Sequence, residues 1–125
     1  MMITKKVIFS TEVLEIGAEA REFTTIKMAI LFGTEAPTAL RSSCFIINVV
    51  PISKQIMAGM VLKIDNQEYE ITSVGGEVQT NLGQLGHIAL SFTGLTEASL
   101  PGTLYLVDKE YPKIKVGSQI QIFEK

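Results

Sequence analysis

His87 is the only histidine in a chain of 125 residues, so any chemistry that needs an imidazole must use it. It follows Leu85 and Gly86 and opens an alternating run: His87, Ile88, Ala89, Leu90, Ser91, Phe92. Successive side chains of a strand point to opposite faces. Ile88, Leu90 and Phe92 therefore share one face, and His87, Ala89 and Ser91 share the other, which is small and polar. A histidine on that face can reach a partner, and imidazole is the usual nucleophile, base or ligand near neutral pH. The plainer alternative is a strand-start histidine that only satisfies a nearby carbonyl.

Other chemistry is sparse. One histidine and one cysteine, with no clustered carboxylates, make no zinc site, and no metal is expected. Gly75 and Gly76 lack the rest of a Walker or dinucleotide fingerprint. Successive glycines can form an anion-binding nest, but a strand-to-helix turn accounts for this pair better. There is no Gly-x-Ser-x-Gly elbow for a hydrolase. Cys44 lies in an apolar run and reads as a small core residue rather than a thiolate nucleophile. Being alone, it forms no internal disulfide. The lysines between Lys109 and Lys115 read as a solvated loop, with phosphate steering as the weaker alternative.

Composition bounds the rest. Hydrophobic residues make up 46% and charged residues 19%, which excludes a disordered chain. The length suits one domain, residues 1–125, with a real core. A formal charge of −2 and a pI near 5.4, with no basic stripe, argue against nucleic acid as a partner. The first residues do not read as a signal peptide. The longest apolar stretch, Cys44 to Ile52, is interrupted by Asn48 and Pro51 and falls short of the ~20 residues a membrane helix needs. The expectation is a cytoplasmic chain with no membrane insertion.

The elements that must position His87 are mostly strands. Val7 to Phe9 and Val13 to Gly17 alternate. Glu22 to Phe32 reads as a strand with Ile26, Met28, Ile30 and Phe32 on one face. Cys44 to Val50 is nearly all apolar, as expected for a strand buried on both faces. Met60 to Ile64, a turn at Asp65 and Asn66, and Tyr69 to Val74 form a hairpin. His87 to Phe92, Thr103 to Val107 and Gln119 to Phe123 complete the set. Eight or so short strands predict an all-β fold, closed into a barrel or packed as a sandwich.

Two helical patches interrupt the strands. Ala36 to Leu40 supplies one or two turns, with Pro37 in the first turn. Glu77 to Leu85 places Val78, Leu82 and Leu85 on one helical face, with Gly86 where a left-handed terminal residue is expected. Gly83 weakens this helix by about 1 kcal/mol relative to alanine. His87 would then emerge at a helix C-terminus, whose dipole favours a cationic imidazole and should raise its pKa. Ile56 to Ile64 and Ile114 to Ile122 both fit I-x-x-G-x-x-[LI]-x-I. The echo points to two pseudo-symmetric halves; the alternative is a barrel that reuses one kind of turn.

Four blocks carry a family resemblance: Glu35-Ala36-Pro37 through Leu40 with Cys44-Phe45-Ile46; Tyr69-x-Ile71-Thr72-x-Val74-Gly75; Asn81-Leu82-x-x-Leu85-Gly86-His87-Ile88; and Phe92-x-Gly94-Leu95-x-Glu97-Ala98-x-Leu100-Pro101-Gly102-Thr103. In order and over most of its length, the chain resembles the glucitol/sorbitol-specific EIIA component of the bacterial phosphoenolpyruvate-dependent sugar phosphotransferase system. The resemblance implies a barrel-like cytoplasmic phosphocarrier without a cofactor. Such a domain takes phosphate from the phosphohistidine of HPr onto its own histidine. It passes the phosphate to a cysteine of the sugar-specific EIIB partner, which works with EIIC, and it contacts proteins rather than sugar.

The chain departs from that family's pattern after Cys44-Phe45-Ile46. The family's carrier histidine follows Cys-Phe-Ile, and Ile47 stands there in this chain. Either His87 is the phosphoacceptor, which makes the chain a phosphotransferase component, or the domain is a non-catalytic binding or regulatory module. In the first case Gly86 and Ser91 are the expected phosphate neighbours. A small-molecule binding barrel is a third, weaker reading. An accessible His87 in a shallow apolar depression favours the carrier, since a partner protein must reach it; a fully buried one favours the others.

Overall fold

A computed structural model of the chain describes residues 5–124. Among these residues eight strands run in chain order as β1 (Val7–Ile16), β2 (Met28–Gly33), β3 (Phe45–Ile47), β4 (Val61–Ile64), β5 (Gln67–Val74), β6 (Ile88–Ser91), β7 (Thr103–Leu106) and β8 (Gln119–Phe123). They close into a barrel in the order β1-β3-β2-β6-β7-β5-β4-β8. The β2–β3 and β6–β7 pairs are parallel and the other six are antiparallel. Helices α1 (Thr38–Arg41) and α2 (Val78–Leu85) fall on the two predicted helical patches.

The barrel is filled by the alternating positions read from the sequence. Leu62 and Ile64 of β4, Tyr69 and Ile71 of β5, Ile88 and Leu90 of β6, and Ile120 and Ile122 of β8 all join one buried cluster. Strand β3 is buried on both faces, as its apolar run predicts. Phe45 and Ile47 point into the barrel, while Ile46 joins Phe32, Ala36 and Cys44 in a satellite cluster outside it. Cys44 is buried there, its thiol donates to the Leu40 carbonyl at 3.2 Å, and burial pushes its pKa up.

The first half of the strand expected over Glu22 to Phe32 is a helix, while its second half is the strand β2. Residues Ala20–Ile26 form a 3₁₀ helix, and β2 begins only at Met28. The β-branched Thr24, Thr25 and Ile26 imitate a strand pattern. Their hydroxyls instead bond one turn back, Thr24 Oγ1 to the Arg21 carbonyl at 2.7 Å and Thr25 Oγ1 to the Glu22 carbonyl at 3.3 Å. Such local bonds offer the backbone an alternative to the sheet ladder. A smaller difference is β1, one bulged strand where two alternating patches were expected.

The two halves of the chain repeat each other through their hydrogen bonds. Gly59 N–H donates to the Ile71 carbonyl, and Gly117 N–H to that of Val13, both at 2.8 Å. Ile71 N–H returns a bond to the Met60 carbonyl, and Val13 N–H to that of Ser118. Gly17 N–H reaches the Cys44 carbonyl as Gly75 N–H reaches that of Thr103. Glu19 and Glu77 likewise donate to Ser42 and Pro101. The echoed glycine turn therefore belongs to two pseudo-symmetric halves. In this correspondence the 3₁₀ helix is the counterpart of α2, and both end in a left-handed residue, Lys27 (φ 58°) and Gly86 (φ 70°).

Candidate functional site

The junction that carries His87 is built by the end of α2. Gly86 N–H caps the Leu82 carbonyl at 3.1 Å and His87 N–H caps the Asn81 carbonyl at 3.2 Å. Both bonds need the left-handed turn at Gly86, the conformation glycine adopts most cheaply. A Cβ added at Gly86 would stand 2.9 Å from the Gly33 backbone nitrogen, and one at Gly33 would stand 2.5 Å from the Leu85 carbonyl oxygen. The end of β2 and the end of α2 are thus in backbone contact because both residues are glycine.

The β2–β6 ladder then sets what faces the imidazole. Its register pairs Met28 with Ser91 and Leu31 with Ile88, so the next step pairs Phe32 with His87. Both side chains lie on the outer face. The His87 and Phe32 rings stack with centroids 4.1 Å apart and planes 9° from parallel. Phe32 is itself held by the satellite cluster of Ile46, Ala36 and Cys44. His87 is half-buried, and neither ring nitrogen has a hydrogen-bond partner among the described residues.

The electrostatics are those of an apolar site. Strands β2, β3 and β6 and helix α2 carry no charged side chain. Burial pushes the His87 pKa below its ordinary value of 6.5. This overturns the expected rise from the helix dipole. The carbonyls of Asn81 and Leu82 are occupied by the capping N–H groups, and the ring sits over a phenyl face, where the charged form loses hydration.

The expected site residues are only partly assembled. Gly86 adjoins His87 and shapes its approach. Ser91 does not reach it: four residues along the strand is about 13 Å at ~3.3 Å per residue. Ser91 sits opposite Met28 at the far end of the ladder, and its hydroxyl shares a hydrogen bond with Thr93 Oγ1 at 2.9 Å. Ile47 points into the core beside this junction, its Cγ1 3.4 Å from a Cβ added at Gly86. Gly75 N–H is committed to the Thr103 carbonyl, as a structural turn requires. Sequence reasoning missed Phe32 as a partner of His87, and the only signal for it is its place on the same face as Ile30. A cavity of about 480 Å³ lined by Arg21, Thr24, Tyr111 and Lys113 does not include His87.

Residues 8–121 match the family model described as the PTS system glucitol/sorbitol-specific IIA component. The chain belongs to this family. It is 33% identical over 115 residues to the PTS system glucitol/sorbitol-specific EIIA components of Shigella flexneri and of Escherichia coli strain K12. Each alignment covers 92% of this chain and 94% of the relative. The crystal structure of a PTS system IIA component from Enterococcus faecalis V583 superposes with a TM-score of 0.81 at 29% identity, covering 93% of this chain and all of that one. The closed barrel is therefore a fold shared with a IIA component. Membership of the glucitol/sorbitol IIA family makes the chain a component of a sugar phosphotransferase relay. Among the described residues no helix is long and apolar enough to cross a membrane.

Proposed function

We propose that this chain is a cytoplasmic phosphocarrier that accepts phosphate from phospho-HPr on His87 and passes it to the EIIB component of a glucitol- or sorbitol-like transporter. The observation that carries this reading is the half-buried imidazole stacked on Phe32 in an uncharged setting. A lowered pKa keeps the ring neutral near pH 7, the state in which a nitrogen lone pair can attack phosphorus.

The transfer balances without a cofactor. The His87 nitrogen forms a bond to phosphorus as the donor's N–P bond breaks, and the donor imidazole leaves with that electron pair. In the next step a cysteine thiolate of EIIB attacks the same phosphorus and His87 leaves as a neutral imidazole. Phosphoryl transfer needs positioning and charge stabilisation more than covalent help. The elements around His87 supply positioning but no cation, so the partner proteins must bring positive charge to the phosphate. Exposed Leu85 and Val49 beside the junction offer apolar surface for such a partner to cover.

The test mixes the protein with phosphoenolpyruvate, enzyme I and HPr, and follows an acid-labile phosphate by intact mass beside His87→Ala. One added phosphate that disappears in the variant is the expected result. No phosphate on the wild-type chain, with a known EIIA labelled in parallel, would sink the carrier reading and leave a non-catalytic module.

A further inference from the structure

We propose that Phe32 is the positioning residue of the His87 site, holding the imidazole by its face in place of the hydrogen bond that usually orients a reactive histidine. The proposal rests on His87 being the phosphate carrier. A histidine that reacts through one nitrogen is ordinarily fixed by a bond to the other. Here neither ring nitrogen is bonded within the described residues, so the ring must be oriented another way. Its backbone is fixed by the Asn81 carbonyl, and the remaining freedom is rotation of the side chain. Parallel stacking at 4.1 Å and 9° restricts that rotation while leaving the ring edge, which carries both nitrogens, free of protein bonds.

Phe32 suits the task because it is closely packed. It is buried and packed on Ile46, Ala36 and Cys44, and the register of β2 against β6 places it directly across from His87. Aromatic pairs in offset or stacked geometry gain energy beyond the area they bury. The phenyl face also excludes water from one side of the imidazole and adds no charge. The charged side chains flanking these elements are Lys27 before β2, Glu35 after it, Glu15 opposite Ile46 of β3, Arg41 of α1 and Glu77 before α2, and Lys27 is paired with Asp108 at 2.7 Å. Arg41 is paired with Glu15 at 2.9 Å. The pseudo-symmetric counterpart of the stack is Met28 opposite Ser91, which has neither an imidazole nor a platform, so only one end of the β2–β6 ladder is equipped.

The experiment compares wild type with Phe32→Leu, Phe32→Tyr and Ile46→Val, the last a satellite-cluster residue that does not stack on His87. Two quantities are read: the titration of the single imidazole by NMR, and the rate of phosphate uptake at saturating and limiting phospho-HPr. Loss of an aromatic pair should slow uptake at saturating donor by about two- to tenfold. The KM should hold, because a buried phenyl does not touch the donor. Phe32→Leu should also move the imidazole midpoint up toward 6.5, while Phe32→Tyr and Ile46→Val stay near wild type on both measures. Folded Phe32→Leu protein with unchanged rate and midpoint overturns the proposal, as does an equal loss in Ile46→Val, which would mark a general packing effect. If the wild-type chain takes no phosphate, the carrier reading falls first and the positioning role falls with it, whereas a labelled wild type with an indifferent Phe32→Leu removes the positioning role alone.

Discussion

The imidazole of His87 stays neutral further into acid than a free histidine because its ring is half withdrawn from water over Phe32. The sign of the resulting pH dependence follows from linkage. Between the unfolded value of 6.5 and the lower folded one, the unfolded chain binds the proton and the native chain does not. Stability from this group is therefore complete above 6.5 and is lost as pH falls through that window. Urea midpoints measured from pH 7.5 down to pH 5 should fall more steeply for wild type than for His87→Gln. Equal slopes would mean the ring is solvated. For the same reason the acid limb of phosphate uptake should lie below 6.5. Ile47 illustrates the other limit at this scale. At the position where the resemblance puts the family's carrier histidine, this chain has a fully buried core side chain beside the Gly86 junction, so the place next to the proposed reactive ring is given to packing.

At the scale of elements, the site depends on a helix ending where a strand begins. Gly86 must be left-handed, and a Cβ there would press on the backbone of Gly33. Gly86→Ala should therefore destabilise the protein by about 2 kcal/mol or more, combining the backbone penalty with the clash. Gly76→Ala should be nearly neutral, since nothing lies within 4 Å of an added Cβ and its φ is not positive. Chemical denaturation of the two variants decides it; comparable losses would show that the α2–β6 junction is not under the constraint described. This junction was legible in sequence: the apolar spacing of Val78 and Leu82 and the glycine after Leu85 are local signals, and so is the alternation from His87 to Phe92. The Ala20–Ile26 segment was not, because its β-branched residues carry a strand pattern and only its side-chain-to-backbone bonds make it helical. Phe32 was visible as an apolar residue but not as a partner of His87. Their pairing is set by the register of β2 on β6, a contact between distant parts of the chain that no local pattern encodes. Ser91 shares the outer strand face with His87 in sequence but lies at the far end of the ladder, where position along the strand matters as much as face.

At the scale of the whole molecule, the barrel is two copies of one arrangement closed against each other. Strands β4 and β8 pair antiparallel, with Leu62 opposite Ile122 and Ile64 opposite Ile120, as a twofold relation between the copies requires. Each of these strands is fed by a glycine with positive φ, 96° at Gly59 and 92° at Gly117, and each glycine donates to an equivalent carbonyl in the neighbouring strand. An L-residue in such a conformation costs about 1–2 kcal/mol. At Gly117 an added Cβ meets nothing, so an alanine there measures the backbone cost alone. The two turns sit at opposite ends of the β4–β8 ladder. Gly117→Ala should thus destabilise by about this backbone cost and Gly59→Ala by at least as much, and the double variant should equal their sum to within about 0.5 kcal/mol. Denaturant midpoints and slopes of the three variants test this. A double variant well short of the sum would mean that the halves exchange strain across the ladder, and a neutral Gly117→Ala would mean that its turn relaxes into a conformation that its counterpart cannot adopt.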